Sequence, residues 1–299
     1  MTVAEPIFDT HAHIMSDDPA VYPPSDEGKH SATPPYTVEQ LLADMAATGV
    51  TRACAVQRFH YYYVDNSYVL DAAKPHGDRL TPVVMLAGQD PRSPQMLKDM
   101  VARQPIGALR FANTSDNVDT SWMNAPQTLR LWETVAELGL PVAIIFYLRQ
   151  IPYNLPAFLA IVDAFPDLPI VVDHLGIEHA PVAFFKPHVR VSYPGPPDYA
   201  ITPALKALRP HRNVSFKLTG INLEYLEAQA VDTARFVRRF VDEFGADRLM
   251  CGTDIGQTAG PYSDIIAGLR YAVSLLDASE RQQVLFGNAN KMFGHTFGA

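Results

Sequence analysis

Short, almost wholly apolar runs alternate along this chain with longer stretches whose apolar positions recur at helical spacing. The first run, IFDTHAHIM from Ile7 to Met15, places His11 and His13 two residues apart. Residues i and i+2 of a β-strand share a face, so a strand here stands the two imidazoles side by side; in a helix they would lie about 200° apart. TVEQLLADMAATG follows with Leu41, Leu42, Met45 and Ala46 at helical spacing, Thr37 placed to cap the start and Gly49 to stop the end. TRACAVQ then returns as a strand. The same alternation predicts helices over Asn66–Pro75, Pro94–Arg103, Ala125–Leu138, Leu155–Phe165, Thr202–Leu208, Val231–Phe244, Tyr262–Leu276 and Ser279–Phe286, with strands in LTPVVML, GALRFA, PVAIIFY, PIVVDHL, NVSFKLTG and RLMCGTD.

Strands that are apolar throughout, joined by crossovers that hold helices, indicate a parallel sheet covered by helices. Eight such units in 299 residues predict an α/β fold of the (β/α)8 TIM-barrel type, a single domain over residues 1–299, in preference to an open doubly wound sheet. No glycine-rich phosphate loop supports a nucleotide-binding fold. Two proline-rich segments, 16–35 after strand 1 and 177–203 after strand 6, break the rhythm on the face where barrel active sites gather. Phe184, Phe185, Tyr193 and Tyr199 give the second loop the makings of a lid; an ordinary covering loop or an interface reads equally well.

Composition narrows the function classes. Hydrophobic residues at 47% and charged residues at 19% fit a folded chain with a large core and argue against disorder. A net charge of −8, with no dense Lys/Arg block, is the wrong footprint for nucleic acid or an anionic membrane, which leaves small molecules as partners and leaves room for a homo-oligomer. The opening MTVAEPIFD lacks the pattern of a secretory signal and no run of about 18 apolar residues occurs, so a cytoplasmic location is expected. Cys54 and Cys251 sit inside apolar runs as buried thiols.

The apolar strands turn polar at their C-terminal ends: Asp9, His11 and His13 on strand 1, Gln57 after strand 2, Arg110 on strand 4, Asp173 and His174 on strand 6, Lys217 and Thr219 on strand 7, and Thr253 and Asp254 on strand 8. In a barrel these groups share one mouth. One histidine in an apolar strand is usually a hydrogen-bonded core residue. His11, His13, His174 and Asp254 together make a set suited to a divalent metal, zinc first, or to acid/base work without one. Arg110 and Lys217 are costly to bury unless paired; they either close on a neighbouring Asp or clamp an anionic substrate. Gln57, His60 and Asn66 add polar groups after strand 2, and Tyr61, Tyr62 and Tyr63 suit a cyclic substrate or a packed loop.

HAH on strand 1, VVDHLG on strand 6, CGTD on strand 8 and the terminal GNANKMF, with VQ and DN at Val56, Gln57, Asp65 and Asn66, then ALRF and FKLTG, occur in an order that resembles the amidohydrolase superfamily. The likeness is greatest to its amidohydrolase-related branch, which includes 2-pyrone-4,6-dicarboxylate lactonase, sugar lactonases and, more remotely, metal-dependent decarboxylases. The resemblance implies that His11, His13, His174 and Asp254 form the site, that Asp254 takes the proton from an attacking water, and that Arg110 and Lys217 hold an anionic substrate. Strand 5 departs from the pattern: PVAIIFYLRQ carries no histidine and offers Tyr147 and Arg149 instead. The implied cofactor is therefore none or one divalent metal.

The expected activity is that of a hydrolase opening a lactone or similar cyclic ester that bears a carboxylate, with Asp254 as general base and the histidines polarising the carbonyl. The alternatives are metal-dependent nonoxidative decarboxylation of an aromatic or muconate-like acid, and a barrel that binds a ligand without turning it over.

Overall fold

A computed structural model describes residues 5–26, 28–30, 34–112, 119–146, 151–176 and 201–294. Eight strands form one sheet in sequence order, every adjacent pair parallel: β1 (Ile7–His13), β2 (Val50–Val56), β3 (Leu80–Met85), β4 (Ala108–Ala112), β5 (Val142–Ile145), β6 (Ile170–Val172), β7 (Val214–Thr219) and β8 (Leu249–Gly252). Helices lie between successive strands, so the fold is the expected (β/α)8 barrel.

The barrel closes by side chains and irregular backbone where β1 meets β8. A single bridge joins Ala12 to Ile255, the His13 N–H donates to Ile255 O at 3.1 Å, and the Asp254 N–H donates to His11 O at 2.6 Å. Asp9, fully buried, completes the seam by accepting from the backbone N–H groups of His11 (3.0 Å) and Thr253 (2.8 Å) and from the hydroxyls of Thr253 (2.6 Å) and Tyr262 (3.0 Å). Four donors on one carboxylate offset the cost of burying it. Gly252 permits the approach, since a Cβ there would lie 2.8 Å from both the Cβ and the N of His11.

Two apolar layers result. The larger packs the outer faces of the strands against the helices, with Trp132 stacked on Phe111 at 4.5 Å. The smaller fills the barrel interior: Phe8, Cys54, Val83, Ala108, Ala143, Val171 and Met250, with Val56 higher up at the end of β2, and Ala289 and Phe293 plugging it from below. The GNANKMF motif thus does structural work. Asn288 donates to Ala246 O and Leu249 O, and the helix Asn288–Phe293 delivers Phe293 to the barrel floor.

Helix Val38–Thr48 is capped at Thr37 and stopped by a left-handed Gly49, as its sequence predicts. The helix Gly220–Ala228 adds to the sequence pattern, which predicts no helix between strand 7 and the one that spans Thr233–Phe244. A Met15–Tyr36 bridge closes the base of the first long loop, whose residues 16–26 pack on the short helix Phe59–Tyr62, where Tyr62 OH accepts from Ser16 N–H at 2.9 Å and Tyr61 O from Ser25 N–H at 2.8 Å. The second long loop lies outside the described residues through 200. Among the described residues no helix is long and apolar enough to cross a membrane.

Candidate active site

Strict alternation along β1 would put Phe8 and His11 on opposite faces. Pairing with β2 shows why it does not. Asp9 is opposite Ala53 and Ala12 opposite Ala55, three steps against two, so β1 carries one extra residue. Such a bulge reverses the facing of everything beyond it. Phe8 therefore reaches the barrel floor while His11 and His13 turn inward above it, their Nε2 atoms 3.3 Å apart and their rings edge to face at 4.9 Å.

The other two members lie just past the strands expected to carry them. Strand β6 ends at Val172, and Asp173–Gly176 forms a tight turn in which His174 (φ 54°) and Leu175 (φ 60°) are left-handed; β8 ends at Gly252, and Asp254 is left-handed as well (φ 54°). Non-glycine residues held this way cost of order 1–3 kcal/mol each and cluster at sites where the surroundings over-determine them. Here the strain bends both side chains back over the barrel. His11 and His174 rings stand 5.0 Å apart, and Asp254 Oδ1 lies 3.5 Å from His11 Nε2 and 3.4 Å from His13 Nε2.

Hydrogen bonds assign the ring protons. His13 Nδ1 faces the carbonyl of Val56 at 3.1 Å, so Nδ1 is the donor and Nε2 keeps its lone pair. His11 Nδ1 faces Asp173 Oδ1 at 3.5 Å, which favours the same tautomer. Burial holds His11 down to about 4 and His13 well below the usual imidazole range, so both are neutral at pH 7. Burial pushes the Asp254 carboxyl up to about 8, against the opposing pull of Arg110 and Arg58.

Asp173 organises the layer beneath. Arg110 Nε donates to its Oδ2 at 2.8 Å and Lys217 Nζ lies 3.1 Å from its Oδ1, all three groups buried. Burial alone would raise this carboxyl, but Lys217, His11 and Arg110 hold it well below the usual range. Both strand cations thus close on a neighbouring aspartate, one of the two arrangements open to them from sequence. Gln57 and Asn66 turn to backbone: Gln57 donates to Tyr63 O and Asp65 O, while Asn66 donates to Val64 O and Met85 O and accepts from Met85 N–H. His60 is exposed at the rim, its ring 5.8 Å from Phe59. Tyr62 packs into the aromatic group of Tyr61, Tyr68 and Tyr22. Tyr147 and Arg149 lie outside the described residues.

Arg58 escaped the sequence reading. It is buried at the end of β2, and its charge acts on both His13 and Asp254. The criterion that selected Gln57, a polar residue ending an apolar strand, applies equally to its neighbour.

The ligand atoms that His11, His174 and Asp254 can offer all lie within 4.8 Å of one another, with His13 touching the group through His11 and Asp254. Whether a divalent ion fits can be judged from the atoms that face each other. Asp254 Oδ1 is buried without a hydrogen-bond donor, and the two Nε2 lone pairs meet at 3.3 Å. Acceptors crowded against acceptors call for a proton or a cation between them, and neighbouring ligands on a tetrahedral zinc, bound at about 2.0–2.1 Å, stand roughly 3.3 Å apart. The donor set fits.

A family profile described as Amidohydrolase matches residues 8–295. Over 295 residues the chain is 28% identical to L-fucono-1,5-lactonase of Burkholderia ambifaria, covering 94% of this chain and 93% of that one. Among solved structures, a probable 2-pyrone-4,6-dicarboxylic acid hydrolase from Acinetobacter baumannii with citric acid bound superposes with a TM-score of 0.73 at 18% identity, over 96% of this chain and 99% of that one. An amidohydrolase from Burkholderia multivorans with bound zinc gives 0.70 at 20% identity, over 96% and 99%. The structural likenesses establish a shared fold, and the profile, spanning nearly the whole barrel, establishes descent: the chain belongs to the amidohydrolase family.

Proposed function

We propose that this protein hydrolyses a lactone, with Asp254 as general base and as a holder, with His11, His13 and His174, of one divalent cation. The observation that carries the reading is the buried, donor-less Oδ1 of Asp254 set 3.4–3.5 Å from two imidazole nitrogens. The kinship to a sugar lactonase along nearly the full chain supports lactones as the substrate class.

The chemistry follows from the protons. Asp254, once ionised, accepts a proton from water as its oxygen bonds to the lactone carbonyl carbon. Collapse of the tetrahedral intermediate breaks the ring C–O bond, and Asp254 returns the proton to the departing ring oxygen, giving a hydroxy acid. His11 and His13 have their N–H groups turned away toward Asp173 and Val56, so they offer lone pairs and suit holding a cation better than donating to an oxyanion. A divalent cation, when bound, polarises a carbonyl and lowers the pKa of acids beside it. Arg58 and Arg110 add positive field where negative charge develops.

A pH-indicator screen tests the reading. Neutral sugar lactones and carboxylate-bearing lactones form separate arms, each run after chelation and after readdition of zinc. Turnover of a lactone that chelation abolishes and zinc restores is expected, and the arm that responds decides whether the substrate is anionic. Carbon dioxide release from aromatic acids with no lactone turned over would overturn the reading in favour of decarboxylation.

A further inference from the structure

We infer that Asn222 is a positioning residue that holds His174 twice, by its backbone directly and by its ring through the hydroxyl of Thr219. Asn222 is fully buried in the first turn of the helix Gly220–Ala228. Its Nδ2 donates to the carbonyl of His174 at 2.9 Å, and its Oδ1 accepts from the Thr219 backbone N–H at 2.9 Å. Each of these partners admits one assignment, since a carbonyl only accepts and an N–H only donates, so the orientation of the amide is determined.

The rest follows as a chain of proton directions. The Thr219 hydroxyl lies 3.1 Å from the same Oδ1 and 2.7 Å from His174 Nδ1. Because Oδ1 is an acceptor, the Thr219 O–H donates to it. The lone pair of Thr219 Oγ1 then receives the Nδ1–H of His174. With Nδ1 committed, the nitrogen that His174 brings to His11 and Asp254 is an unprotonated Nε2, the form a metal ligand needs. The direct bond to the His174 carbonyl braces the left-handed turn at φ 54° that swings the ring over the barrel. One amide therefore sets both where the ring stands and which nitrogen it presents.

The inference rests on His174 being a site residue, but its test needs no substrate. Two-bond proton–nitrogen correlation spectra of the metal-free full-length protein, labelled with ring-15N histidine, report each tautomer directly. His174 is expected as the Nδ1–H form. Thr219→Ser keeps the hydroxyl and is expected to keep both that tautomer and the zinc affinity. Thr219→Val removes it and is expected to mix the tautomers and weaken zinc binding by about 10- to 100-fold. In Asn222→Ala the freed Thr219 hydroxyl turns to donate to Nδ1, so the Nε2–H form is expected to gain. An Nε2–H tautomer in the unmodified protein would overturn the inference without any variant. So would a Thr219→Val protein that keeps the native tautomer and zinc affinity, or a Thr219→Ser protein that loses as much as Thr219→Val. Failure of every lactone in the screen, with the tautomers as expected, would count against the proposed substrate and not against Asn222.

Discussion

The lower and upper halves of the barrel interior are built by the same strands and obey opposite rules. Toward the N-terminal ends, Phe8, Cys54, Ala108, Ala143, Val171 and Met250 close over Phe293 in a dry apolar floor. One or two inward positions further along, the same strands or the turns that follow them present His11, Arg110, Asp173 and Asp254. Lys217 stands at the boundary, its ammonium 5.8 Å from the Phe293 ring and 3.1 Å from Asp173. The floor gains stability by excluding water. The layer above gives up part of that gain to hold charges that offset one another. The contrast teaches that Asp173 links the two halves: it neutralises the cations resting on the floor and faces the imidazole that belongs to the site.

Asp173→Ala is the strongest way to break this arrangement. It leaves Lys217 and Arg110 buried without their shared carboxylate, and the expected loss is about 3–5 kcal/mol in denaturant unfolding, with zinc binding weakened at the same time. Met250→Ala should separate the halves, costing about 2–5 kcal/mol by opening a cavity in the floor. Below its lowered melting temperature, calorimetric titration should find its zinc affinity unchanged. A loss of zinc affinity comparable to that of Asp173→Ala would show that the floor and the site are not distinct.

Acidity gives a smaller, graded effect. Since the Asp254 carboxyl is raised to about 8 in the metal-free fold, zinc must displace its proton, and affinity should fall by up to roughly tenfold per unit as pH drops below 8. The stability of the metal-free protein carries the opposite sign. A carboxyl raised on folding contributes most below about pH 4, and that contribution is lost as pH rises through about 8. Asp254→Asn should flatten that slope in thermal unfolding measured across pH. The least perturbing probe is thiol labelling. Cys54 is buried with its thiol pushed up to about 12, and Cys251 is buried and raised as well. Neither should react with an aromatic disulfide reagent until the barrel opens globally.

The strand count and its order were legible because each strand is a short apolar run set between helical patterns, and that periodicity is local. The four candidate residues His11, His13, His174 and Asp254 stood out through chain order, each at or near the end of a strand run. Their geometry was not. The bulge between Asp9 and Ala12 reverses a facing that alternation alone assigns wrongly relative to Phe8. The left-handed turns at His174 and Asp254 lie beyond the paired strands and owe their shape to contacts made elsewhere in the chain. The choice between a substrate and Asp173 as partner of Arg110 and Lys217 is a matter of packing across three strands. Helix Gly220–Ala228 was hidden because it begins at the very end of β7, with only Gly220 as punctuation, and Asn222 went unread with it.

The central claim is that Asp254 is the base of a lactone-opening site, and the steady-state kinetics of Asp254→Asn test it most directly. On a lactone that the unmodified enzyme turns over, kcat/KM is expected to fall by about 10²- to 10⁴-fold, while the melting temperature of the metal-free protein holds or rises because a buried carboxyl has been relieved. A folded Asp254→Asn protein whose kcat/KM stays within a few-fold of the unmodified enzyme would contradict the account.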